Sequence, residues 1–403
     1  MPTLDSASTA TIVGAARPPQ APAWARDLVV PGAIPALDTL RAVAILLVLM
    51  RHAVRPFWDS GGLSLLPIGN WDLAIPMING WIGVDLFFVL SGFLIGTQLL
   101  AARARGDRGR YAFRRYILKR ALRILPAYYA VLAVAALGLV PFFTVAPEYL
   151  GVRVAWHVLM LQDYLPSNIV VVFWSLGVEE KFYLLAPAVV AAVLMLPGRF
   201  ARYALLVALA GAGLFFRYLM DLAHPEPLEY VAFFQIFRSP AHLCLEPLAL
   251  GLLTALVHRD CAGRFKAARA LFWVGVLGAS VLIAGAPMLD VIGPAERLWQ
   301  PTLIALAMAL LVFGAAGGGS PSAFARPWFV ATARLSYSLY LVHLLLIPGT
   351  LALVDALFDA QLWPSSARFA VFLPFFFAFS AAAALSLHLA VERPFLKLKD
   401  RIA

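Results

Sequence analysis

Apolar residues form long runs along most of the chain, and several of the runs are long enough to span a membrane. A helix of about 20 consecutive apolar residues crosses the hydrocarbon core of a bilayer. The pattern therefore predicts an all-α membrane protein, a bundle of about ten transmembrane helices. We place these helices near residues 37–56, 80–101, 121–143, 176–197, 203–220, 231–257, 270–289, 300–316, 335–354 and 367–391.

The composition supports lipid as the solvent for most of the chain. Of 403 residues, 62% are hydrophobic and 13% charged, whereas soluble domains are about half apolar and about a quarter charged. This excludes a large soluble globule, a disordered chain and a disulfide scaffold. Cys244 lies in an apolar run and Cys261 among basic residues, so we expect neither to form a disulfide.

The distribution of charge predicts the orientation in the membrane. The net charge is +10, and many basic residues crowd the segment 103–123 between two apolar runs. Cytoplasmic loops are enriched in Lys and Arg. With that loop inside, alternation also places the basic segments 199–202, 259–269, 326–334 and 393–401 inside, and acidic segments outside. We therefore expect both termini in the cytoplasm, and no nucleic-acid partner because no soluble domain remains to present a groove.

The same pattern predicts the domain organisation. Residues 1–36 lack a long apolar run and the features of a secretory signal, so we expect a mobile cytoplasmic tail there. A transmembrane domain follows over 37–396, and a cytoplasmic tail over 397–403. The segment 144–175 is too broken by polar residues and prolines for a full span. This segment is either an outer surface loop or a re-entrant segment, and the sequence leaves both alternatives open.

Ionisable residues in the first predicted helix are the main candidates for chemistry, because each is costly in lipid. Arg41 and His52 are eleven residues apart, which places them on one helix face with a rise of ~16.5 Å. Asp38 lies one turn before Arg41, so ion pairing and anion binding are equally open for Arg41. For His52 we favour a role as proton acceptor over that of an interfacial histidine.

Other predicted helices add polar groups that require partners. Asp85 needs a partner, for which an Arg or His of the first helix would serve. Glu179 points away from Glu180 and is expected to face the interior of the bundle. Arg120 and Arg123, one turn apart, are suited to the phosphates of a large anionic cofactor.

Small and polar residues elsewhere suggest contacts between helices. Gly92 and Gly96 form a small-xxx-small pair suited to close packing. Ser336, Tyr340 and His343 form a polar stripe, for which interhelical hydrogen bonding and a chemical role are both open. His388 and Glu392 are explained by capping and pairing. The seven His residues show no metal-ligand spacing, so we expect no metal.

Six segments, in this order, resemble acyltransferase family 3, the integral-membrane O-acyltransferases of bacterial surface glycans and related acceptors. The resemblance covers roughly residues 35–396. It rests on Leu37-Asp38…Arg41…His52, Gly83 to Phe93, Arg120…Arg123…Pro126, Trp174-Ser175-Leu176…Glu179…Phe182-Tyr183, Ser336-Tyr337-Ser338…Tyr340…His343 and Glu392-Arg393-Pro394.

The resemblance implies an enzyme of the bacterial inner membrane. It would move an acyl group, expected to be acetyl, from cytoplasmic acyl-CoA to a hydroxyl of a glycan, lipid-linked saccharide or glycosylated metabolite. Acyl-CoA is expected as a co-substrate, with no tightly bound cofactor. Some members carry an extra C-terminal hydrolase-like domain, and we expect this chain to be of the stand-alone form.

The resemblance also assigns roles to residues. The catalytic histidine corresponds to His52, with Asp85 or Glu179 orienting it or the acceptor. The residues expected to bind acyl-CoA are Arg41, Arg120 and Arg123, and those expected to bind substrate are Trp174, Ser175, Tyr340 and His343. Direct transfer and an acyl-enzyme relay both stay open. The competing function is a transporter or flippase of a lipid-linked glycan, which is disfavoured by the absence of paired inverted halves with broken helices.

Overall fold

The protein is described by a computed structural model. The structure describes residues 28, 32, 34–59, 62–69, 71–165, 168–261, 266–285, 291–321 and 326–402. Most of the tail predicted over 1–36 therefore lies outside the described residues.

Helices dominate the described part of the chain. In chain order the elements are α1 (Pro35–Asp59), β1 (Pro67–Ile68), β2 (Trp71–Asp72), α2 (Ala74–Ile78), a 3₁₀ turn (Asn79–Ile82), α3 (Gly83–Ala104), α4 (Gly109–Ala136), α5 (Leu150–Val158), a 3₁₀ turn (Val171–Phe173), α6 (Trp174–Met195), α7 (Gly198–Ala223), β3 (Leu228–Glu229), α8 (Tyr230–Phe233), a π-helical turn (Phe234–Arg238), a 3₁₀ turn (Ala241–Leu243), α9 (Leu245–Asp260), α10 (Ala268–Ala284), β4 (Val291–Ile292), α11 (Pro294–Ala316), α12 (Pro327–Phe358), a 3₁₀ turn (Ala360–Leu362), α13 (Ser365–Leu387), a π-helical turn (His388–Glu392) and α14 (Arg393–Asp400). Two antiparallel strand pairs, β1 with β2 and β3 with β4, close loops between helices.

Among the described residues, five helical segments are long and apolar enough to cross a membrane: Ala74–Ala104, Gly198–Ala223, Pro294–Ala316, Pro327–Phe358 and Ser365–Asp400. Helices α1, α4 and α6 are as long, but they include the charged residues that the sequence analysis singled out. Helices α9 and α10 have 16 and 17 residues. The all-helical prediction is confirmed.

Two predicted spans differ from the observed helices. The span predicted over 231–257 is not one helix, because Pro240 adopts an extended conformation between Arg238 and α9. The span predicted over 121–143 is the second half of α4, which ends at Ala136. Gly138 follows with φ +65°, a conformation that glycine adopts without strain.

Helix α3 lies at the centre of the bundle, packed against α1 on one side and α9 on another. A methyl group on Gly92 would lie 2.3 Å from the Leu248 carbonyl oxygen, and one on Gly251 would lie 2.3 Å from that of Val89. One on Gly96 would approach Ala255 to 2.9 Å. The close packing predicted for Gly92 and Gly96 is confirmed, with α9 as the partner helix.

The segment 144–175 packs into the bundle through buried polar residues. Gln162 donates from Nε2 to the carbonyl oxygen of Phe173 at 2.8 Å, and Asp163 accepts from Lys181 at 2.6 Å. His157, at the end of α5, is also buried. The residues after α5 therefore form part of the interior.

Buried ion pairs join α7 to its neighbours. Arg217 pairs with Glu246 of α9 at 2.5 Å and also donates to Thr302 of α11 at 2.8 Å. Arg297 of α11 pairs with Asp221 at the end of α7. The sequence analysis did not single out these pairs, although each member is an ionisable residue in or beside an apolar stretch.

Candidate active site

Two cavities meet in the middle of the bundle. The His52 cavity, of about 540 Å³, is lined by α1, the residues around 162–174, the segment 230–239 and α12. The arginine cavity, of about 500 Å³, is lined by α1, α3, α4, α6, α12 and the chain end around α14. Val84 and Tyr340 line both cavities, while Trp174 lines the first and its neighbour Ser175 the second. The wall between the cavities is therefore about one side chain thick.

His52 and His343 bring α1 and α12 together beside this wall. The Nε2 atom of His343 lies 3.3 Å from Nδ1 of His52, and the ring centroids are 5.0 Å apart. His52 is half-buried and lines the His52 cavity, whereas His343 is 0% exposed. Two histidines 291 positions apart in the sequence thus form one pair.

Backbone carbonyl oxygens assign the tautomers of the two rings. The Nδ1 atom of His52 lies 2.8 Å from the carbonyl oxygen of Val48, and Nδ1 of His343 lies 2.8 Å from that of Tyr340. Because a carbonyl oxygen only accepts, each Nδ1 has the hydrogen. Nε2 of His52 is then the atom with the free lone pair, and Nε2 of His343 is an acceptor for the hydrogen on His52.

The three arginines expected to bind acyl-CoA, Arg41 of α1 with Arg120 and Arg123 of α4, line the arginine cavity together with Arg334 and Arg393. Arg41 pairs with Asp38 at 3.4 Å, which is one of the two roles that the sequence left open for Arg41. Asp38 also accepts from the amide of Gly32 at 2.6 Å. Several guanidinium groups facing one cavity have the charge and the hydrogen-bond donors that suit a polyanion.

Glu179 faces the interior of the bundle, as predicted, but lies in the arginine cavity. Its carboxylate accepts from the hydroxyl of Ser91 at 2.6 Å and from that of Tyr183 at 3.0 Å. Its immediate hydrogen-bond partners are thus hydroxyl groups of α3 and α6. The structure therefore places Glu179 with the arginines.

The partner predicted for Asp85 is wrong. Its carboxylate accepts two hydrogen bonds from Arg238, at 2.9 and 2.8 Å, and none from the first helix. The guanidinium of Arg238 lies between the rings of Trp81 and Trp174, 5.1 Å from each. A bidentate pair between two aromatic faces gives Asp85 the partner that burial requires. Arg238 was missed because it falls in a stretch read as one apolar span, where an ionisable residue is itself the signal.

The polar stripe of α12 lies along both cavities. The hydroxyls of Tyr340 and Ser175 are 2.6 Å apart, and Tyr340 also donates to the carbonyl oxygen of Val172 at 2.7 Å. Ser336, one turn before, donates to Ala333 within its own helix. Tyr340 of the stripe thus makes an interhelical contact with Ser175 and lines both cavities.

The end of α13 forms a local polar cluster. His388 and Glu392 lie 2.9 Å apart, and Ser338 donates to Glu392 at 2.8 Å. This agrees with the pairing expected for them. Cys244 is buried and Cys261 exposed, and both are free thiols, as predicted.

Comparison with known proteins decides the family. A family model described as an acyltransferase domain matches residues 34–387. The chain belongs to acyltransferase family 3. The match covers the lining residues of the His52 cavity, the His52–His343 pair and all of the arginine cavity except Leu28 and the residues from His388 onward.

Two relatives with assigned names show more distant similarity. The peptidoglycan O-acetyltransferase OatA of Listeria monocytogenes is 31% identical over 172 residues, which cover 38% of this chain and 24% of the relative. YrhL of Bacillus subtilis, named provisionally as a peptidoglycan O-acetyltransferase, is 32% identical over 167 residues, 38% of this chain and 23% of the relative. The chain thus matches about a quarter of each relative's length. No solved structure matches the chain significantly.

Proposed function

We propose that this member of acyltransferase family 3 moves an acetyl group from cytoplasmic acetyl-CoA to a hydroxyl of a glycan, lipid-linked saccharide or glycosylated metabolite. The observation that supports this most strongly is the junction of two cavities of different character. Among the described residues, one cavity is lined by five arginines and two lysines, and the other by a histidine with a free ring nitrogen. A donor that enters the arginine cavity and an acceptor that enters the His52 cavity would meet beside Tyr340 and Ser175.

The arginine cavity opens to the cytoplasm in this proposal. The loop joining α3 to α4 is strongly basic, and such loops remain on the cytoplasmic side. Arg120 and Arg123 follow that loop into α4. We therefore propose ten spans in the inner membrane, with both termini in the cytoplasm and the His52 cavity facing outward.

Arg41, Arg120 and Arg123 hold the phosphates of coenzyme A, and the pantetheine arm extends toward the junction. The helix rise from Arg41 to His52 is ~16.5 Å, about the length of that arm. The thioester is then delivered beside Tyr340 and Ser175, which line the arginine cavity next to the wall.

His52 is the base in the proposed reaction. Its Nε2 takes the proton of the acceptor hydroxyl as the oxygen attacks the thioester carbonyl carbon, a general-base step worth about 10²–10⁴-fold. The carbon–sulfur bond then breaks, and the leaving thiolate takes the proton from His52. The products are an ester and free coenzyme A, so atoms and charge balance.

His343 is a positioning residue in this scheme. Its Nε2 is a second acceptor for Nδ1–H of His52, beside the Val48 carbonyl oxygen that fixes the tautomer, and it stabilises the imidazolium that forms during transfer. Direct attack requires no covalent enzyme intermediate. Mass spectrometry of the protein quenched during turnover with acetyl-CoA tests this: we expect no acetylated side chain, and an acetyl group that appears and disappears at a catalytic rate would support a relay instead.

Binding of acetyl-CoA tests the donor site. Purified full-length protein is titrated with acetyl-CoA, and Arg41→Gln, Arg123→Gln and the control Arg259→Gln are compared. Arg259 lies exposed at the end of α9 and pairs only with its neighbour Asp260 among the described residues. We expect each cavity variant to weaken binding about 10- to 100-fold, because a charge-assisted hydrogen bond is lost. Equal affinities in all four proteins would contradict the proposed donor site.

A further inference from the structure

The His52 cavity contains a buried guanidinium group that lacks a carboxylate partner. Arg51 is 3% exposed, lines the cavity and donates from Nη1 to the carbonyl oxygen of Ile78 at 2.9 Å. Among the residues that the structure describes, no Asp or Glu lies within ion-pair distance of it. A buried cation without an anionic partner is costly and marks a functional site.

A second cation lies one helical turn further along α1. The guanidinium carbons of Arg51 and Arg55 lie 5.3 and 5.0 Å from the centre of the same ring, that of Tyr230. Asp59 pairs with Arg55 at 2.5 Å, but that carboxylate is 49% exposed at the end of the helix. The ring attracts both cations, yet the pair of arginines retains an excess of positive charge.

The other charged residues of the cavity are already paired. Arg238 is held by Asp85, and Asp163 by Lys181. Among the described residues that line the cavity, the cation without a carboxylate partner is therefore Arg51, while Arg55 beside it is paired with Asp59. Planar guanidinium groups bind carboxylate and phosphate through paired hydrogen bonds, so an anion of this type matches the site.

We infer that the His52 cavity binds an anionic group of the acceptor, a carboxylate or a phosphate, through Arg51 and Arg55. Because Arg51 and His52 line the same cavity, the anion would be held in the cavity that contains the base. Trp81, Trp174 and Phe234 supply apolar walls for the rest of the acceptor. The inference rests on the proposed function, in which this cavity is the acceptor site.

Titration with three matched sugars tests the inference. The full-length protein in phosphatidylcholine nanodiscs is titrated calorimetrically with methyl glucoside, methyl glucuronide and methyl glucoside 6-phosphate. Saturating free coenzyme A occupies the arginine cavity during each titration. We expect the glucuronide, the phosphate or both to bind about 10- to 100-fold more tightly than the neutral glucoside, since a charge-assisted hydrogen bond is gained.

Two variants locate the anion. Arg51→Gln should lose the preference for the charged sugar, and Arg51→Lys should keep part of it because the charge remains. Arg123→Gln, in the other cavity, should keep the full preference. The inference is overturned if no sugar binds, if the three bind equally, or if Arg51→Gln keeps the preference. Failure of coenzyme A to bind would instead contradict the proposed function. In that case, the difference in sugar preference between Arg51→Gln and Arg123→Gln would still show which cavity binds the anion.

Discussion

The contact between His343 and His52 is the residue-scale feature with the clearest kinetic consequence. Replacing His343 by Phe keeps a ring but removes the second acceptor for Nδ1–H of His52, leaving only the Val48 carbonyl oxygen. We expect kcat to fall about 10- to 10³-fold, less than for loss of the base itself. The KM for acetyl-CoA should stay near that of the wild type, because the arginine cavity is unaffected.

His343→Gln is the matched variant, since its amide oxygen can still accept. It should retain more activity than His343→Phe in steady-state kinetics. If both variants showed normal kcat and a raised acceptor KM, His343 would be a substrate contact and not a positioning residue.

Asp85 illustrates a charge whose structural role dominates. Asp85→Asn leaves Arg238 buried without its carboxylate, and breaking such a pair costs about 3–5 kcal/mol. We expect a lower thermal unfolding temperature in detergent. The double variant Asp85→Asn/Arg238→Gln should recover part of the loss. Normal stability combined with a large fall in kcat would instead place Asp85 in the reaction.

Residue-scale predictions from the sequence were correct where the partner is local. The Arg41–Asp38 pair is one of the two alternatives that the spacing of three residues offered, and the inward direction of Glu179 follows from its helix face. Asp85 and Arg238 are 153 positions apart, so helix periodicity contains no information on their pairing. The same holds for His52 and His343, which meet only through the packing of α1 against α12.

At the scale of elements, the α3–α9 contact depends on glycine. Gly92→Ala places a methyl group 2.3 Å from a backbone oxygen of α9, so the helices must separate. We expect a loss of about 1–3 kcal/mol in unfolding free energy from overpacking. Gly211→Ala in α7 is the control, because a methyl group there meets nothing within 4 Å.

The control should be neutral or stabilising by about 0.5–1 kcal/mol, as alanine favours helix over glycine. Thermal or denaturant unfolding of both variants in detergent measures the difference. Equal effects of the two substitutions would show that the packing at Gly92 is looser than described.

Element-scale prediction from the sequence was accurate for most of the apolar runs and failed where one run is divided between two helices. The predicted spans at 203–220, 300–316 and 335–354 correspond to α7, α11 and α12. The span predicted over 231–257 is divided before α9, and this division brings Arg238 beside Asp85. Hydropathy alone misses such a break because the flanking residues remain apolar.

At the scale of the whole molecule, the proposed two-sided reaction requires a defined orientation. Cys261 is exposed after α9, and Cys244 is buried. A membrane-impermeant maleimide should therefore label the wild type in inverted vesicles and not in intact cells. The variant Leu362→Cys places a thiol at an exposed position of the 3₁₀ turn after α12. In a Cys261→Ser background, this thiol should be labelled in intact cells and not in inverted vesicles. Labelling of Cys261 in intact cells would invert the proposed topology.

The most direct test of the account is acetyl transfer by His52→Gln. Wild-type protein and the variant are given radiolabelled acetyl-CoA with total surface glycan as acceptor, and acetyl-CoA binding is measured in parallel. The account predicts that kcat falls about 10²–10⁴-fold in the variant while acetyl-CoA affinity is retained. Transfer at the wild-type rate by the folded variant would contradict the role of His52 as the base.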